Sequence, residues 1–209
     1  MSLISGTSSP KFRHWRRDQP SALQGRTRQL EADTSTQVEY STDLVPGLLQ
    51  TFDYAAAVLT AAFGTVGEEF VEEIDAAVAA RMARQADWRK SGRRTRFLLG
   101  EQALYTTVGK PSVMRAQLGA LMGPLPQNTE LGIIPRDATY FTGITSFTLF
   151  DDEAVAIETL TGALRFTDPR DIADYERAVE ALTARAVTGR DAERLIADAA
   201  APHARGTEG

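Results

Sequence analysis

The chain of 209 residues has no cysteine and only two histidines, His14 and His203. The first absence excludes disulfides, thiolate metal ligation and cysteine nucleophiles. The second leaves histidine triads, proton shuttles and His-containing metal sites without a member in the body of the chain, because both histidines stand near its ends. No apolar run approaches the roughly 18 residues of a membrane span and no signal-peptide pattern occurs, so the expectation is a cytoplasmic protein with no membrane partner. Glycines are not spaced to cradle a phosphate. The acids Asp151-Asp152-Glu153 lack the alternate spacing of a calcium loop and read as a wet hairpin tip. No catalytic constellation is recognisable, and neither a metal nor a cofactor is expected.

What is present is an ordinary globular balance, 43% hydrophobic and 24% charged, long enough for one well-filled core. The net charge of −5 is unevenly spread. Residues 1 to 30 hold Lys11, Arg13, Arg16, Arg17, Arg26 and Arg28 against Asp18, a charge of +5, so residues 31 to 209 carry −10. A body of that sign repels a phosphate backbone, and specific duplex DNA binding by this chain is not expected. The basic leading segment is either a solvated connector or a phosphate-contacting extension. Residues 1–18 are read as a basic flexible arm or linker, with Trp15 as an aromatic that could dock; 19–201 are read as one domain and 202–209 as a tail. Met-Ser-Leu at the start and Glu-Gly at the end look like vector scars around a trimmed fragment, a natural stand-alone chain being the alternative.

Periodicity divides the body. A helix is expected from near Gly67 to Lys90, with Phe70, Val71, Ile74, Val78, Met82 and Trp88 at spacings of three and four. Its leading acids Glu68, Glu69, Glu72 and Glu73 and trailing Arg89 and Lys90 follow the helix dipole. Ser91-Gly92 stops it. Thr95 to Leu99 reads as a central strand, since Phe97, Leu98 and Leu99 leave no wet face. Earlier helices are expected from Ser21 to about Ala32 and, capped by Thr51, to Gly64, with a short strand Gln37 to Tyr40 between them. Pro111 opens a further helix that Gly123-Pro124 ends, and Thr129 to Ile134 is a strand. Phe147 to Phe150, Ala154 to Leu160 and Ala163 to Phe166 are strands whose short connections force antiparallel neighbours. Asp168-Pro169 caps a helix carrying Ile172, Tyr175, Val179 and Leu182, and a last helix follows Gly189. This is an α+β domain, a mixed and mostly antiparallel sheet packed with about six helices.

Five ordered motifs carry a family resemblance: LVPGLLQTFDYAAAVL (Leu44 to Leu59), VAARMARQ (Val78 to Gln85), GEQAL (Gly100 to Leu104), MRAQLGAL (Met114 to Leu121) and ETLTGAL (Glu158 to Leu164). Over about residues 15 to 200 the chain resembles a domain of unknown function found in actinobacterial, Streptomyces-type regulators behind an XRE-type helix-turn-helix. The resemblance implies a ligand-sensing or dimerising carboxy-terminal module of a transcriptional regulator. Its partners would be a second copy and a small-molecule effector or protein. DNA would be contacted only through an amino-terminal helix-turn-helix, which does not precede Trp15 here. The alternative is a domain of the same fold recruited as a small-molecule biosynthetic enzyme.

The candidate ligand-binding residues are Arg81, Gln85, Glu101, Glu158 and Gln50. Arg81 and Gln85 lie one helical turn apart with Arg84 beside them, a fork of donors expected to face Glu101 either as an internal ion pair or as a ligand site. Glu158 shares a strand face with Ala156 and Leu160. In VPGLLQT, Pro46 and Gly47 make a corner that plugs Leu48 and Leu49 into the core, and Gln50 either belongs to that corner or faces a cavity.

Overall fold

Three consecutive apolar residues, Phe97-Leu98-Leu99, are all buried because layers cover their strand on both sides. In the computed structural model, which describes residues 10–14, 20–66, 73–140 and 143–204, this strand belongs to one seven-stranded sheet. In chain order the strands are β1 (Lys11–His14), β2 (Thr36–Ser41), β3 (Arg94–Gly100), β4 (Thr129–Ile134), β5 (Phe147–Phe150), β6 (Ala154–Thr159) and β7 (Gly162–Phe166). Their spatial order is β1-β7-β6-β5-β2-β3-β4. The β2, β3 and β4 strands run parallel and every other neighbouring pair is antiparallel. β3 is thus interior but next to the edge, not central: burial of an apolar run reflects what lies above and below it, not its rank in the sheet. Beyond it, β4 is partly protected at its free edge by Val187, which exchanges backbone hydrogen bonds with Ile133.

The helices are α1 (Pro20–Ala32), α2 (Phe52–Val66), α3 (Ile74–Ser91), α4 (Gln102–Tyr105), α5 (Pro111–Leu121), α6 (Pro169–Thr183) and α7 (Gly189–Ala204). The fold class is therefore as expected, α+β with a mixed, mostly antiparallel sheet. The signals that place several elements act as read. Gly92 ends α3 in the left-handed conformation at φ 68°, the Thr51 hydroxyl accepts from the backbone N–H of Tyr54 at 3.4 Å, and Asp168 accepts from the N–H of Arg170 ahead of Pro169. Residues 67–72, with the expected helix start at Gly67 and Glu68, Glu69, Phe70, Val71 and Glu72, lie outside the described residues. So do Trp15, Arg16, Arg17 and Asp18.

Two expectations at the ends need correction. Lys11–His14 is a strand paired residue for residue with β7, not part of a free arm, and α7 carries the helix through residue 204 into the expected tail. The docking of β1 depends on Gly162, where a Cβ would stand 2.1 Å from the carbonyl oxygen of Arg13.

The main core fills the space between β3–β4 and the helices α2, α3, α4, α5 and α7, with Leu48, Tyr54, Trp88, Phe97, Leu104, Met114, Leu118 and Ile196 all but inaccessible. Trp88 stands edge-on to Phe97, ring centres 5.7 Å apart, and donates its indole N–H to Thr95 at 2.9 Å. A second core lies between α6 and the other sheet face, around Leu98, Phe147, Leu149, Val155, Ile157, Ile172 and Leu182. One part of the sheet is left uncovered by either core, and the candidate site lies there.

Candidate functional site

Successive side chains of a strand point to opposite faces. In β2 this sends Val38 and Tyr40 to the α6 core and Gln37, Glu39 and Ser41 to the opposite face. The pairing register extends that second face across the antiparallel wing. Glu39 lies opposite Thr148, Thr148 opposite Ala156, Ala156 opposite Arg165, and Arg165 opposite Lys11. A neighbouring row holds Glu158, Ala163 and Arg13. Residues of α1, of α3 and of the 3-10 turn at Gly47–Leu49 overhang this floor and enclose with it a cleft of about 1160 Å³. Of the acids that line it Glu39 is half-buried and Glu158 exposed, while the bases Lys11 and Arg13 stand on the edge strand β1 and Arg165 on its neighbour β7.

The inner wall is a web of glutamines and arginines. Arg81 donates from one terminal nitrogen to Gln50 Oε1 at 2.6 Å and from Nε to Gln24 Oε1 at 3.4 Å. Arg84 donates to the same Gln24 oxygen at 2.8 Å and forms an ion pair with Glu31 at 3.3 Å, both partners being buried. Arg93 closes this group by donating to the Glu31 carbonyl. The corner glycine is explained here. Gly47 has no left-handed backbone requirement; instead, a Cβ would come within 2.9 Å of the Arg84 guanidinium. Glycine at that position gives the cation room to lie against the turn.

Electrostatics divide the wall from the floor. Burial, aided by Arg84, draws the Arg81 guanidinium down to about 10 against the opposing pull of Glu158 and Glu39, so it stays charged at neutral pH. Burial raises the Glu39 carboxyl to about 7; Arg84 and Arg81 pull it back, while Glu31 and Glu158 push it further up. Glu31 is also raised, burial outweighing Arg84, Arg93 and a hydrogen bond from Gln37. Among the described residues the Glu39 and Glu158 carboxylates accept no hydrogen bond.

Of the residues singled out by sequence, the structure brings Arg81, Gln50 and Glu158 to one cleft. Gln85 belongs to the corner: its amide donates to the carbonyls of Gly47 and Gln50, each at 2.8 Å. Glu101 is elsewhere, accepting from the backbone N–H of Arg136 at 2.8 Å and from its guanidinium at 3.1 Å. The expected pairing of Arg81 with Glu101 is therefore wrong. A carboxylate at the end of a strand finds the next loop along the sheet edge, and β4 delivers Arg136 there. Gln50 takes part in both structures, holding the Val45 carbonyl through its amide and Arg81 through its oxygen. Sequence reasoning missed Glu39, Gln24 and Thr148. The first was legible, since Gln37, Glu39 and Ser41 alternate with two apolar residues. At the β5–β6 turn Asp151 accepts from the backbone N–H groups of Ser35 and Thr36. Among the described residues no cluster of three or more His, Asp or Glu could hold a metal ion, and no helix is long and apolar enough to cross a membrane.

No curated protein matches the sequence. Among solved structures, TrmBL2, an archaeal chromatin protein with a novel mode of DNA binding, aligns with a TM-score of 0.40 at 12% identity, covering 90% of this chain and 56% of that one. The chain thus spans little more than half the length of TrmBL2. NucT from Helicobacter pylori aligns with a TM-score of 0.40 at 10% identity, over 87% of this chain and 99% of that one. The model of a domain of unknown function, DUF5753, matches residues 24–198, from within α1 to within α7 and across every strand except β1. The chain belongs to the DUF5753 family, a domain of unknown function.

Proposed function

We propose that this chain is the ligand-sensing module of an actinobacterial XRE-type transcriptional regulator, acting as a homodimer and contacting DNA only through an amino-terminal helix-turn-helix of the parent protein. The observation that carries the reading is the cleft. Its volume of about 1160 Å³ reaches slightly beyond the roughly 300–1,000 Å³ usual for small-molecule pockets. A few convergent polar groups, Arg81, Gln50, Glu39 and Glu158, could orient a ligand there. The enzymatic alternative has no observation of its own.

The test is a thermal-shift screen of the whole chain against small metabolites, repeated on Arg81→Ala. Since Arg81 bonds to neutral glutamines and not to a stranded Glu101, the unliganded variant should lose only about 1–2 kcal/mol. Stabilisation by any compound seated against Arg81 should disappear. A screen in which no compound raises the melting temperature of the parent chain would sink the sensing reading. Self-association is checked separately by sedimentation. A monomer at roughly tens of micromolar, the range of weak dimers, would count against the two-fold assembly that a regulator reading paired half-sites requires.

A further inference from the structure

A helix seals a sheet by burying apolar side chains, and α1 does not. Leu23 and Leu30 stand seven residues apart, on one side of the helix, and both are half-buried and line the cleft. Among the described residues none of α1 belongs to an apolar core, and the side chains it buries are polar, Gln24 and Glu31. The contacts that hold it come chiefly from α3 and the residues flanking α3. Gln24 accepts from Arg81 and Arg84, Glu31 pairs with Arg84 and gives its carbonyl to Arg93, Ser21 donates to Glu73, and Arg28 pairs with Asp87. This seam is poorly matched. Arg84 Nε and Glu31 Oε2 stand 3.3 Å apart as an ion pair, yet neither makes a hydrogen bond, and Arg93 Nε makes none. Buried charges in imperfect geometry recover little of their desolvation cost, and a helix without apolar burial opens at low free energy.

The hinge can be located. Thr34 rides with α1, its backbone N–H and its hydroxyl donating to the carbonyls of Glu31 and Leu30. Ser35 belongs to the sheet, its N–H held by Asp151 and its carbonyl by the N–H of Arg94. We propose that α1 is the lid of the cleft, swinging away from α3 about the Thr34–Ser35 junction and so admitting a small molecule to the floor at β2. The proposal rests on the sensing reading above and adds how that site is reached. A ligand with an apolar body covers Leu23 and Leu30 and so favours the closed lid.

Gln37 can report the opening. It stands on β2, is 2% exposed and donates a hydrogen bond to Glu31 of α1. Because the chain has no cysteine, Gln37→Cys gives a single thiol under the lid. Ala103→Cys gives one in the main core, at a position of 0% exposure. Each full-length variant is treated with Ellman's reagent, a small aromatic disulfide whose access to position 37 is itself entry into the cleft. A thiol released by the lid alone should react at least about tenfold faster than the core thiol, which waits for global unfolding. Its rate should also stay nearly flat in dilute urea, since lifting one helix exposes little surface, while the rate at position 103 climbs steeply.

Gln24→Ala removes the acceptor shared by Arg81 and Arg84 and should speed labelling at position 37 by about tenfold. Equal rates and equal urea slopes at the two positions overturn the proposal, and so does a rate at position 37 that Gln24→Ala leaves unchanged. A second pair of sites guards against a Gln37→Cys variant that does not fold. Arg28 and Asp87 face each other across the seam with about half of each side chain exposed, and such a surface pair can be replaced at little cost to stability. Nitroxides on Arg28→Cys/Asp87→Cys, read by double electron–electron resonance, should show a second, longer distance that grows when Gln24→Ala is added. One distance, the same with and without Gln24→Ala, overturns the lid. None of these measurements needs a ligand, so their failure leaves the sensing reading to the metabolite screen, and a screen without a hit removes sensing while the motion of α1 is still decided by labelling.

Discussion

The two faces of the antiparallel wing are built from the same strands and do opposite things. On one face Val38, Tyr40, Phe147, Leu149, Val155 and Ile157 meet Ile172, Tyr175, Val179 and Leu182 of α6 and exclude water. On the other, residues one position away in each strand, Glu39, Thr148, Ala156 and Glu158, floor an open cleft. The amphipathic α6 matches the first face, having its apolar residues at spacings of three and four. Over the second, α1 and α3 present Gln24, Glu31, Arg81 and Arg84, which bond to one another above the floor. Closure is thus a matter of what the opposing helix offers: an apolar stripe seals a sheet, a polar web leaves room.

Neighbouring residues of β5 and β2 can break that contrast. The largest effect is expected at Phe147, which is 2% exposed and in ring contact with Tyr40 and Tyr175 at 5.7 and 4.8 Å between centres. Phe147→Ala should lower unfolding stability in urea by about 3–5 kcal/mol. A loss below about 1 kcal/mol would mean the α6 face is not a packed core. Glu39 comes next. Its carboxyl is raised from an ordinary 4.5 to about 7, so the protonated form favours the fold; that contribution is complete below 4.5 and lost as pH rises through 7. Glu39→Gln imitates the protonated state. It should flatten the stability profile between pH 5 and pH 8 and exceed the parent at pH 8 by about 1–3 kcal/mol. Parallel profiles for the two proteins would show that the cleft solvates this carboxylate freely. The smallest effect belongs to Thr148, next to Phe147 in sequence but on the cleft floor. Thr148→Ala should change stability by less than about 0.5 kcal/mol, and a cost comparable to that of Phe147→Ala would erase the distinction between the faces.

Much of the fold was legible because its signals are local. Apolar periodicity, the Thr51 and Asp168 caps, the stop at Gly92 and the two short turns between β5, β6 and β7 each act within a few residues. β1 was not legible. Lys11-Phe12-Arg13-His14 has no apolar alternation to speak of and owes its strand to the free edge of β7 and the missing side chain at Gly162. The candidate site divides in the same way. That Arg81 and Gln85 lie one turn apart on a helix, and that Glu158 shares a face with Ala156, follow from periodicity alone. The partners of Arg81 do not. Gln24 lies 57 residues away and Gln50 31 away, and nothing near either glutamine marks it as a partner for a guanidinium.

The residues alone determined the absence of cysteine chemistry, the α+β class, the antiparallel wing and the polar alternation of β2, because composition and short-range periodicity carry these directly. Only the tertiary structure decided that Glu101 meets Arg136 instead of Arg81, that Gln85 secures the Gly47 corner, and that Glu39 and Glu158 share a cleft floor. The physical reason is sheet order. β5 inserts beside β2, 107 residues from it in the pairing of Phe147 with Tyr40, and this non-local pairing sets which strand faces adjoin and which charges meet across them.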